Sequence, residues 1–309
     1  MDSKIYDIII VGGGPAGLSA GIYASRSRLD TLMIEKGYPG GQLLMCEYIE
    51  NFPGFHNGTD GMEFASSLHK QAEKFGMQSY LIEADRVDLL GYEKLICTAD
   101  GKKFRAKAII LCLGARSKTL GAKGEFEFLG KGVSYCAVCD GALFQGKKLA
   151  VIGGGDSAVE DSLYLTKFAS EVHIIHRRDK FRAQKIIQER AFANKKIKVH
   201  WNSTVDEIYG EQMVKGCIIS DVKTDKKTKL DVDGVFVLIG NHPNTAILEG
   251  QVTLDPDGYI ITNENMATNI QGVFAAGDVR HKLLRQIITA TADGAIAAVA
   301  AEKFIEGVI

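Results

Sequence analysis

The sequence has no apolar run of the roughly 18 residues that are needed to cross a bilayer. Its longest apolar stretch, around residues 290–304, is interrupted by Asp293 and Glu302 and indicates a buried helix. No signal peptide is recognised either, because residues 1–4 lead directly into a short apolar strand. We therefore expect a cytoplasmic protein with no membrane partner.

The sequence also lacks an excess of either charge. Its 37 lysines and arginines nearly balance 38 acidic residues, which leaves a formal net charge of −1 and no overall positive field for nucleic acid. Prolines are few, with 5 against 34 glycines, and the glycines cluster in turns rather than in a low-complexity tract. With 46% hydrophobic residues, the 309-residue chain is expected to fold into about two domains.

Informative cysteine spacing occurs at one place only. Of the 6 cysteines, Cys136 and Cys139 are separated by two residues and followed directly by Asp140. Such a pair is either a redox pair or half of a zinc site, and a zinc site takes about four ligands, commonly from a second cysteine pair that the sequence does not have. We therefore predict no metal and a redox pair beside an acid/base residue. The remaining cysteines are interpreted as small buried or partly buried residues.

A glycine-rich turn at Gly12–Gly17 follows an apolar run at 4–11 and opens an alanine-rich helix at 18–26. The next apolar run, 31–34, ends at Glu35. This order of strand, GxGxxG turn, helix, strand and acid is typical of a dinucleotide-binding unit. Small residues let the backbone approach a pyrophosphate at the helix N-terminus, and the acid can accept hydrogen bonds from ribose hydroxyls.

A second unit of the same kind surrounds the turn at Gly153–Ala158, between apolar runs at 147–152 and 171–175. Near the position of the ribose-binding acid the chain instead has three arginines, Arg177, Arg178 and Arg182. Guanidinium groups suit the 2′-phosphate of NADP, whereas an acid suits the 2′-hydroxyl of NAD or FAD. His176 is expected to line the nucleotide pocket or to pack at the strand end.

The order of these units predicts an α/β fold of two Rossmann-like domains, the second inserted into the first. The FAD-binding domain is expected at 1–116 and 246–309, and the NADPH-binding domain at 117–245. Two strand ends support this order. The strand at 106–113 leads into Gly114, and the stretch 272–278 ends in Gly-Asp, which places a carboxylate at a sheet edge.

Motifs distributed over the whole chain are those of a known family. They are GGGPAG at 12–17, GGQL at 40–43, ENFPG at 50–54, GVSYCAVCDG at 132–141, GGGDSAVE at 153–160, HRRDKFRA at 176–183 and GVFAAGDV at 272–279, with Arg285-Gln286 beyond. Over its full length the chain resembles the low-molecular-weight, bacterial-type thioredoxin reductases, a class of pyridine nucleotide-disulfide oxidoreductases. The CxxCD motif just before the second glycine turn is the most diagnostic.

The resemblance implies a homodimer and a set of site residues. The residues expected to bind FAD are Gly12, Gly14, Pro15, Ala16, Gly17, Glu35, Lys36, Gly41, Gln42, Leu43, Asn51, Gly114, Asp278, Arg285, Gln286 and Ile287. Those expected to bind NADPH are Gly153, Gly155, Asp156, Ser157, His176, Arg177, Arg178 and Arg182. It also implies that Cys136 and Cys139 form the redox disulfide and that Asp140 is the acid/base.

The implied reaction passes electrons from NADPH through FAD and the disulfide to oxidised thioredoxin, with Cys139 nearer the flavin and Cys136 attacking the partner. One flavin face cannot serve nicotinamide and disulfide together, so the family rotates one domain against the other. The crossovers near 116–119 and 240–246 are the expected hinges. Two alternatives remain open: a flavin disulfide reductase with another donor or acceptor, such as ferredoxin, and a non-catalytic flavoprotein that senses redox state.

The chain departs from the family's pattern at the second glycine turn. Asp156 stands where many members have asparagine, and it adds a negative charge beside the expected pyrophosphate site. This charge disfavours NADPH, whereas the nearby arginines favour it. Leu284 likewise stands where an aromatic residue is common.

Overall fold

The structure is a computed structural model, and it describes residues 4–46, 48–248 and 250–308. The chain divides into two compact units, which we call unit 1 and unit 2. Unit 1 is discontinuous and takes in Met1–Arg116 and His242–Ile309 as far as they are described, and unit 2 is the intervening Ser117–Asn241. The assignment of FAD to the discontinuous domain and NADPH to the inserted one stays a prediction at this stage.

Both units combine strands with helices. The strands are β1 (Ile5–Val11), β2 (Thr31–Ile34), β3 (Gln78–Tyr80), β4 (Ala84–Asp88), β5 (Lys94–Thr98), β6 (Lys103–Leu111), β7 (Ala115–Ser117), β8 (Val133–Ser134), β9 (Lys148–Ile152), β10 (Glu171–Ile175), β11 (Ile197–His200), β12 (Ser203–Gly210), β13 (Val214–Asp221), β14 (Lys227–Leu230), β15 (Gly234–Val237), β16 (Asn241–Pro243) and β17 (Val273–Ala275). The helices are α1 (Pro15–Arg26), α2 (Gly61–Lys74), α3 (Ala137–Asp140), α4 (Asp156–Leu165), α5 (Lys185–Ala193) and α6 (Ile287–Ile305). Short 3₁₀ turns lie at Gly41–Met45, Gly141–Phe144, Ala246–Leu248 and Gly277–Val279.

Unit 1 is built on a sheet with the order β3-β2-β1-β6-β5-β4, in which β17 also pairs with β6. β5 pairs antiparallel with both β4 and β6, and the other pairings are parallel. Alternate side chains of β1 enter two different core clusters, Ile8 in one and Ile9 in the other, because this parallel strand is covered on both faces. α1 and α6 approach each other closely, since a Cβ at Gly294 would lie 2.1 Å from Ala16 O.

Unit 2 contains a parallel sheet with the order β11-β10-β9-β15-β8 and a separate antiparallel sheet, β12-β13-β14. The two sheets share a core cluster that includes Ile175, Val205 and Cys217. β9 and β10 are parallel and in register, so their carboxyl ends lie at the same edge of the sheet. The second glycine turn follows β9 and the arginine-rich segment follows β10, which brings both to that edge.

The chain passes between the units through β7 and β16, which pair with each other as a two-stranded sheet. The expectation that these crossovers act as hinges stays a prediction. Within the described ranges, no helix has the length and apolar character required to span a membrane.

Candidate active site

Cys136 and Cys139 form a disulfide in unit 2, with their Cα atoms 5.3 Å apart. Cys136 immediately precedes the first turn of α3. The backbone N–H of Cys139 donates to Cys136 Sγ over 3.1 Å. An amide directed at this sulfur favours a thiolate there once the disulfide is reduced. The implied pairing of the two cysteines is confirmed.

Asp140, the last residue of α3, is held by a serine that precedes the disulfide. The hydroxyl of Ser134 donates to Asp140 Oδ2 over 2.5 Å, and Ser134 Oγ accepts the backbone N–H of Cys136 at 3.0 Å. Ser134 is buried at the end of β8. The carboxylate of Asp140 is therefore linked through one hydroxyl group to the backbone of Cys136.

The first glycine turn follows β1 in unit 1. Gly12 has a positive φ of 104°, and a Cβ there would lie 2.3 Å from Cys112 O, so only glycine fits. Glu35 Oε2 accepts the N–H of Gly13 at 2.6 Å, and its Oε1 accepts the N–H of Gly37 at 3.2 Å. Gly14 precedes α1 without a side-chain cap, which leaves the amides of the first turn available to an anion.

The remaining residues of this turn pack within the unit. Pro15 is the first residue of α1, where its missing N–H costs no hydrogen bond. Ala16 is buried against α6, and a Cβ at Gly17 would lie 1.9 Å from Gly12 O. Lys36 is exposed and lies 3.9 Å from Glu83. Pro15, Ala16 and Gly17 therefore shape the turn by their small or rigid form, whereas Lys36 lies outside the turn, after β2.

The segment after β2 contains more of the predicted FAD residues. Gly41 has a positive φ of 55°, and the side-chain amide of Gln42 donates to Ala115 O. Leu43 is fully buried in a cluster with Phe64, so its side chain faces the core and only its backbone is accessible. At the end of β6, a Cβ at Gly114 would meet nothing within 4 Å, which indicates open space beside the strand.

Asn51 and Gln286 connect this segment to α6. Asn51 Nδ2 donates to Gln286 Oε1 over 3.1 Å, and Asn51 lines an open cavity of about 400 Å³. Gln286 is the N-cap of α6 and forms a capping box with Thr289. Ile287, the first residue of the helix, packs against the Leu43 cluster.

Asp278 and Arg285 have buried polar atoms that indicate a ligand-binding position. Asp278 Oδ1 and Arg285 Nε are buried and have no hydrogen-bond partner among the described residues. Burial raises the pKa of Asp278 above its ordinary range, although Lys282 and Arg285 act against this shift. The guanidinium group of Arg285 lies 4.0 Å from the ring of Tyr259. Buried polar atoms normally have partners, so Asp278 fits a cofactor that brings hydroxyl groups to this carboxylate.

The second glycine turn follows β9 in unit 2. The N–H of Gly153 donates to Ile175 O at 3.2 Å, and Gly155 precedes α4 without a side-chain cap. A Cβ at Gly155 would meet nothing within 4 Å, whereas one at Gly154 would lie 2.3 Å from His176 Nδ1. The imidazole of His176 is therefore packed beneath the turn, where burial lowers its pKa. This agrees with packing at the strand end, the second of the two positions expected for it.

Arg177, Arg178 and Arg182 are exposed around this turn, as is Ser157 in the first turn of α4. None of the three guanidinium groups forms an ion pair with another described residue. Asp156 Oδ1 accepts the backbone N–H of Gln184 at 2.7 Å. The predicted NADPH residues thus surround one sheet edge, with unpaired cations next to free helix amides.

Comparison with known proteins decides the family. A sequence model described as pyridine nucleotide-disulphide oxidoreductase matches residues 6–294. The chain belongs to this family. Among its relatives, a thioredoxin reductase of Bacillus subtilis is 48% identical over 99% of this chain and 96% of the relative, and one from Listeria monocytogenes is 48% identical over 99% and 95%. The crystal structure of thioredoxin reductase from Streptococcus pyogenes has a TM-score of 0.94 and 44% identity, covering 98% of this chain and 99% of that one.

These matches confirm the predicted family, the predicted α/β fold of two Rossmann-like domains and the enzyme class of this pyridine nucleotide-disulphide oxidoreductase. Among the residues that the structure describes, no group of three or more His, Cys, Asp or Glu side chains is placed to hold a metal ion. One minor interpretation is wrong: Cys46 is exposed, because it lies at the end of a surface 3₁₀ turn rather than in a strand or core helix.

Sequence reasoning missed a buried carboxylate that supports the disulfide of this oxidoreductase. Glu125 is fully buried and accepts the N–H groups of Leu120 and Gly121 and the hydroxyl of Tyr135, each at 2.7 Å. Burial and this bond to Glu125 raise the pKa of Tyr135. Tyr135 directly precedes Cys136, so Glu125 connects the segment after the first crossover to the redox pair. Nothing in the local sequence pattern distinguishes Glu125 from an ordinary surface acid.

Proposed function

We propose that this oxidoreductase is an NADPH-dependent thioredoxin-disulfide reductase of the cytoplasm. It takes FAD in unit 1 and NADPH in unit 2, and it reduces oxidised thioredoxin with Cys136 and Cys139. The observation that carries the proposal is the disulfide itself, formed at the start of α3 in a chain with two dinucleotide-type glycine turns. The name thioredoxin reductase, borne by relatives that match along nearly the whole chain, supports it.

When bound, FAD and NADPH would supply the two-electron redox chemistry that reduces the disulfide. The contribution of this chain is to hold both groups. In unit 1, the unpartnered carboxylate oxygen of Asp278, the uncapped amides of α1 and the carboxylate of Glu35 offer acceptors and donors to FAD. In unit 2, the uncapped amides of α4 would hold the diphosphate of NADPH, and the arginines without ion-pair partners would hold its 2′-phosphate.

The reduced pair then transfers its electrons by thiol–disulfide exchange. The thiolate of Cys136 attacks one sulfur of the partner disulfide, forming a mixed disulfide and releasing the other partner sulfur. Cys139 attacks Cys136 Sγ, reforms the enzyme disulfide and releases the second partner sulfur. Asp140, positioned by Ser134, supplies a proton to a leaving thiolate. In sum, NADPH, one proton and oxidised thioredoxin give NADP⁺ and the reduced dithiol.

A protein substrate is supported by the surface beside the disulfide. Val138, which lies between the two cysteines, is 45% exposed, and Leu143 in the following 3₁₀ turn is 57% exposed. Apolar side chains next to a redox pair favour contact with another protein over a small polar disulfide. They offer a docking surface for thioredoxin.

The homodimer is supported by an apolar stripe on α6. Ile288, Ile296 and Val299 are 40%, 42% and 39% exposed and recur at helical spacing on one face, together with Ala292. Tyr23 of α1, the helix that packs against α6, is also exposed. A stripe of this kind on a surface helix is typical of a face that pairs with another copy.

Anaerobic titration of the FAD-loaded protein tests the donor. We expect NADPH to bleach the flavin absorbance in stoichiometric amounts and NADH to do so far less readily. Bleaching by neither nucleotide would overturn the NADPH assignment and favour a ferredoxin-dependent reductase.

Thioredoxin reduction with the unaltered protein and with Cys139→Ser tests the acceptor. The variant is expected to retain FAD and to be bleached by NADPH, but to lose reduction of thioredoxin and of an aromatic disulfide. Sustained turnover by the variant would show that the electrons leave by another route.

A further inference from the structure

Asp156 is directed at the start of the next helix. Its Oδ1 accepts the backbone N–H of Gln184 at 2.7 Å, and Gln184 is the N-cap residue of α5. α5 has neither a side-chain cap of its own nor an acidic residue in its first turn. Asp156 therefore supplies, from α4, the acceptor and the negative charge that a helix N-terminus favours.

This bond closes one end of the segment that carries the arginines. We call residues 176–184 the arginine loop; it leads from β10 to α5. The N–H of Arg182 donates to Gly154 O at 2.7 Å, His176 Nε2 lies 3.0 Å from Lys180 O, and the N–H of Asn202 donates to Arg178 O at 3.1 Å. The loop is thus fixed through its backbone to the glycine turn and to the turn between β11 and β12.

The guanidinium groups themselves are not fixed by any ion pair with described residues. The positions of the guanidinium groups therefore depend on the backbone of the arginine loop. One contact between this loop and the glycine turn is made by a side chain, that of Asp156. A hydrogen bond that orders the loop before the nucleotide binds reduces the entropy lost on binding. The carboxylate of Asp156 would repel a phosphate group by its charge. Because it also holds the arginine loop in place, it can still favour binding of that phosphate.

We propose that Asp156 is a positioning residue for NADPH specificity: it holds the arginine loop in the conformation that binds the 2′-phosphate. This inference rests on the proposed function. It differs from the sequence-based expectation, in which the charge of Asp156 opposes NADPH.

Binding of NADP⁺ and NAD⁺ to the oxidised, FAD-loaded protein tests the inference without turnover. Trp201 is the single tryptophan, and its ring lies 4.5 Å from that of Phe181 in the arginine loop, so its fluorescence reports on this site. Asp156→Ala is expected to weaken NADP⁺ about tenfold, the effect of one hydrogen bond to a charged acceptor. NAD⁺ affinity should change by less than about twofold, because NAD⁺ has no 2′-phosphate for the loop to bind.

Variants on both sides of the bond separate position from charge. Asp156→Asn keeps the acceptor oxygen without the charge, and its NADP⁺ affinity should stay well above that of Asp156→Ala. Gln184 has φ −58°, a value proline adopts, so Gln184→Pro removes the donor N–H and should match the loss in Asp156→Ala. Gln184→Ala keeps the N–H and serves as its control. The double variant Asp156→Ala/Gln184→Pro should lose no more than either single variant.

Each contrary outcome is distinct. Tighter NADP⁺ binding by both Asp156→Asn and Asp156→Ala would mean that the main effect of Asp156 is to repel the nucleotide phosphates. That outcome would overturn the inference. Equal weakening of NADP⁺ and NAD⁺ would reduce Asp156 to a structural residue and overturn it as well. An unaltered protein whose Trp201 fluorescence does not respond to NADP⁺ would overturn the proposed NADPH site and the inference together.

Discussion

The backbone N–H of Cys139 points at Cys136 Sγ, 3.1 Å away, and this relationship makes the two sulfurs unequal. After reduction the amide remains in place at the start of α3 and stabilises a thiolate on Cys136. Cys139 receives no comparable contribution from this bond, since its own amide is the donor. This geometry supports the proposed mechanism, in which Cys136 attacks the partner disulfide and Cys139 resolves the mixed disulfide.

We expect the thiol of Cys136 to be alkylated by iodoacetamide at neutral pH about tenfold faster than that of Cys139, because the thiolate is the reactive form. The measurement uses reduced Cys139→Ser and Cys136→Ser variants and mass spectrometry of the modified peptides. Both variants should also carry Cys46→Ser, since Cys46 is exposed. Burial raises the pKa of Cys217 to about 12, so that cysteine serves as an unreactive internal reference. Faster alkylation of Cys139 would reverse the assignment.

Asp140→Asn is expected to lower turnover with thioredoxin about 100-fold, the range of a lost general acid. Ser134→Ala should lower it by about tenfold, because Asp140 would keep its carboxylate but lose the 2.5 Å hydrogen bond that orients it. Steady-state turnover gives these ratios. Anaerobic bleaching of the flavin by NADPH is the control, and it should stay unchanged in both variants. A Ser134→Ala enzyme with full turnover would remove the serine from the mechanism.

The two nucleotide units could be predicted because their signals are local. The apolar runs that become β1, β2 and β10 are bounded by glycines and acids, and the observed strands agree with them within a few residues. Glu35 is predicted to accept hydrogen bonds from ribose hydroxyls because it directly follows a strand, at the spacing of a ribose-binding acid. The cysteine pair was identified by spacing alone.

The supporting contacts could not be predicted, because each depends on which backbone amide a tertiary fold brings to a carboxylate. Glu125 accepts amides close to it in the chain, yet its burial follows from packing under Tyr135. Asp156 and Gln184 are separated by a whole helix and strand. The sequence shows that Asp156 is charged, but it does not show that the backbone N–H of Gln184 donates to it.

The acid stability of unit 2 should depend on His173. Burial lowers the pKa of His173 from 6.5 to about 4, with Glu171 acting against the shift, and burial also lowers the pKa of His200, whose Nε2 lies 2.9 Å from His173 Nδ1. Between pH 6.5 and about 4 the unfolded chain thus binds more protons than the folded one, and stability falls as pH falls. For His173 alone the loss amounts to about 3 kcal/mol.

Thermal unfolding of the unaltered protein and of His173→Gln between pH 7 and 4.5 measures this effect. The variant should be less stable at pH 7, because His200 loses its partner, but its stability should fall less steeply with acid. Exposed His242, replaced in His242→Gln, is the control and should reproduce the slope of the unaltered protein. Parallel slopes for all three proteins would assign the acid sensitivity to other groups.

We expect the buried carboxylate of Asp293 to stabilise unit 1 and to help it retain FAD. Asp293 lies 3.0 Å from Arg280 Nη1 and 2.7 Å from Lys282 Nζ, and it accepts the N–H of Gly277 at 3.1 Å. Asp293→Asn would leave two partly buried cations without this anion, which costs up to about 3–5 kcal/mol of unfolding free energy. Because Gly277 directly precedes Asp278, the same change should loosen the predicted FAD carboxylate.

Urea denaturation followed by circular dichroism and by flavin fluorescence measures the two effects of Asp293→Asn together. We expect FAD to be released at lower urea than in the unaltered protein, and before the loss of helix signal, since Gly277 and Asp278 lose their anchor first. Glu93→Gln, which removes an exposed ion pair with Arg105 in the same unit, should change the unfolding free energy by less than about 1 kcal/mol. The contrary outcome is that Asp293→Asn unfolds at the same urea concentration as the Glu93→Gln control. Solvent would then compensate the charges of Arg280 and Lys282, and the network around Asp293 would not hold the Asp278 segment in place.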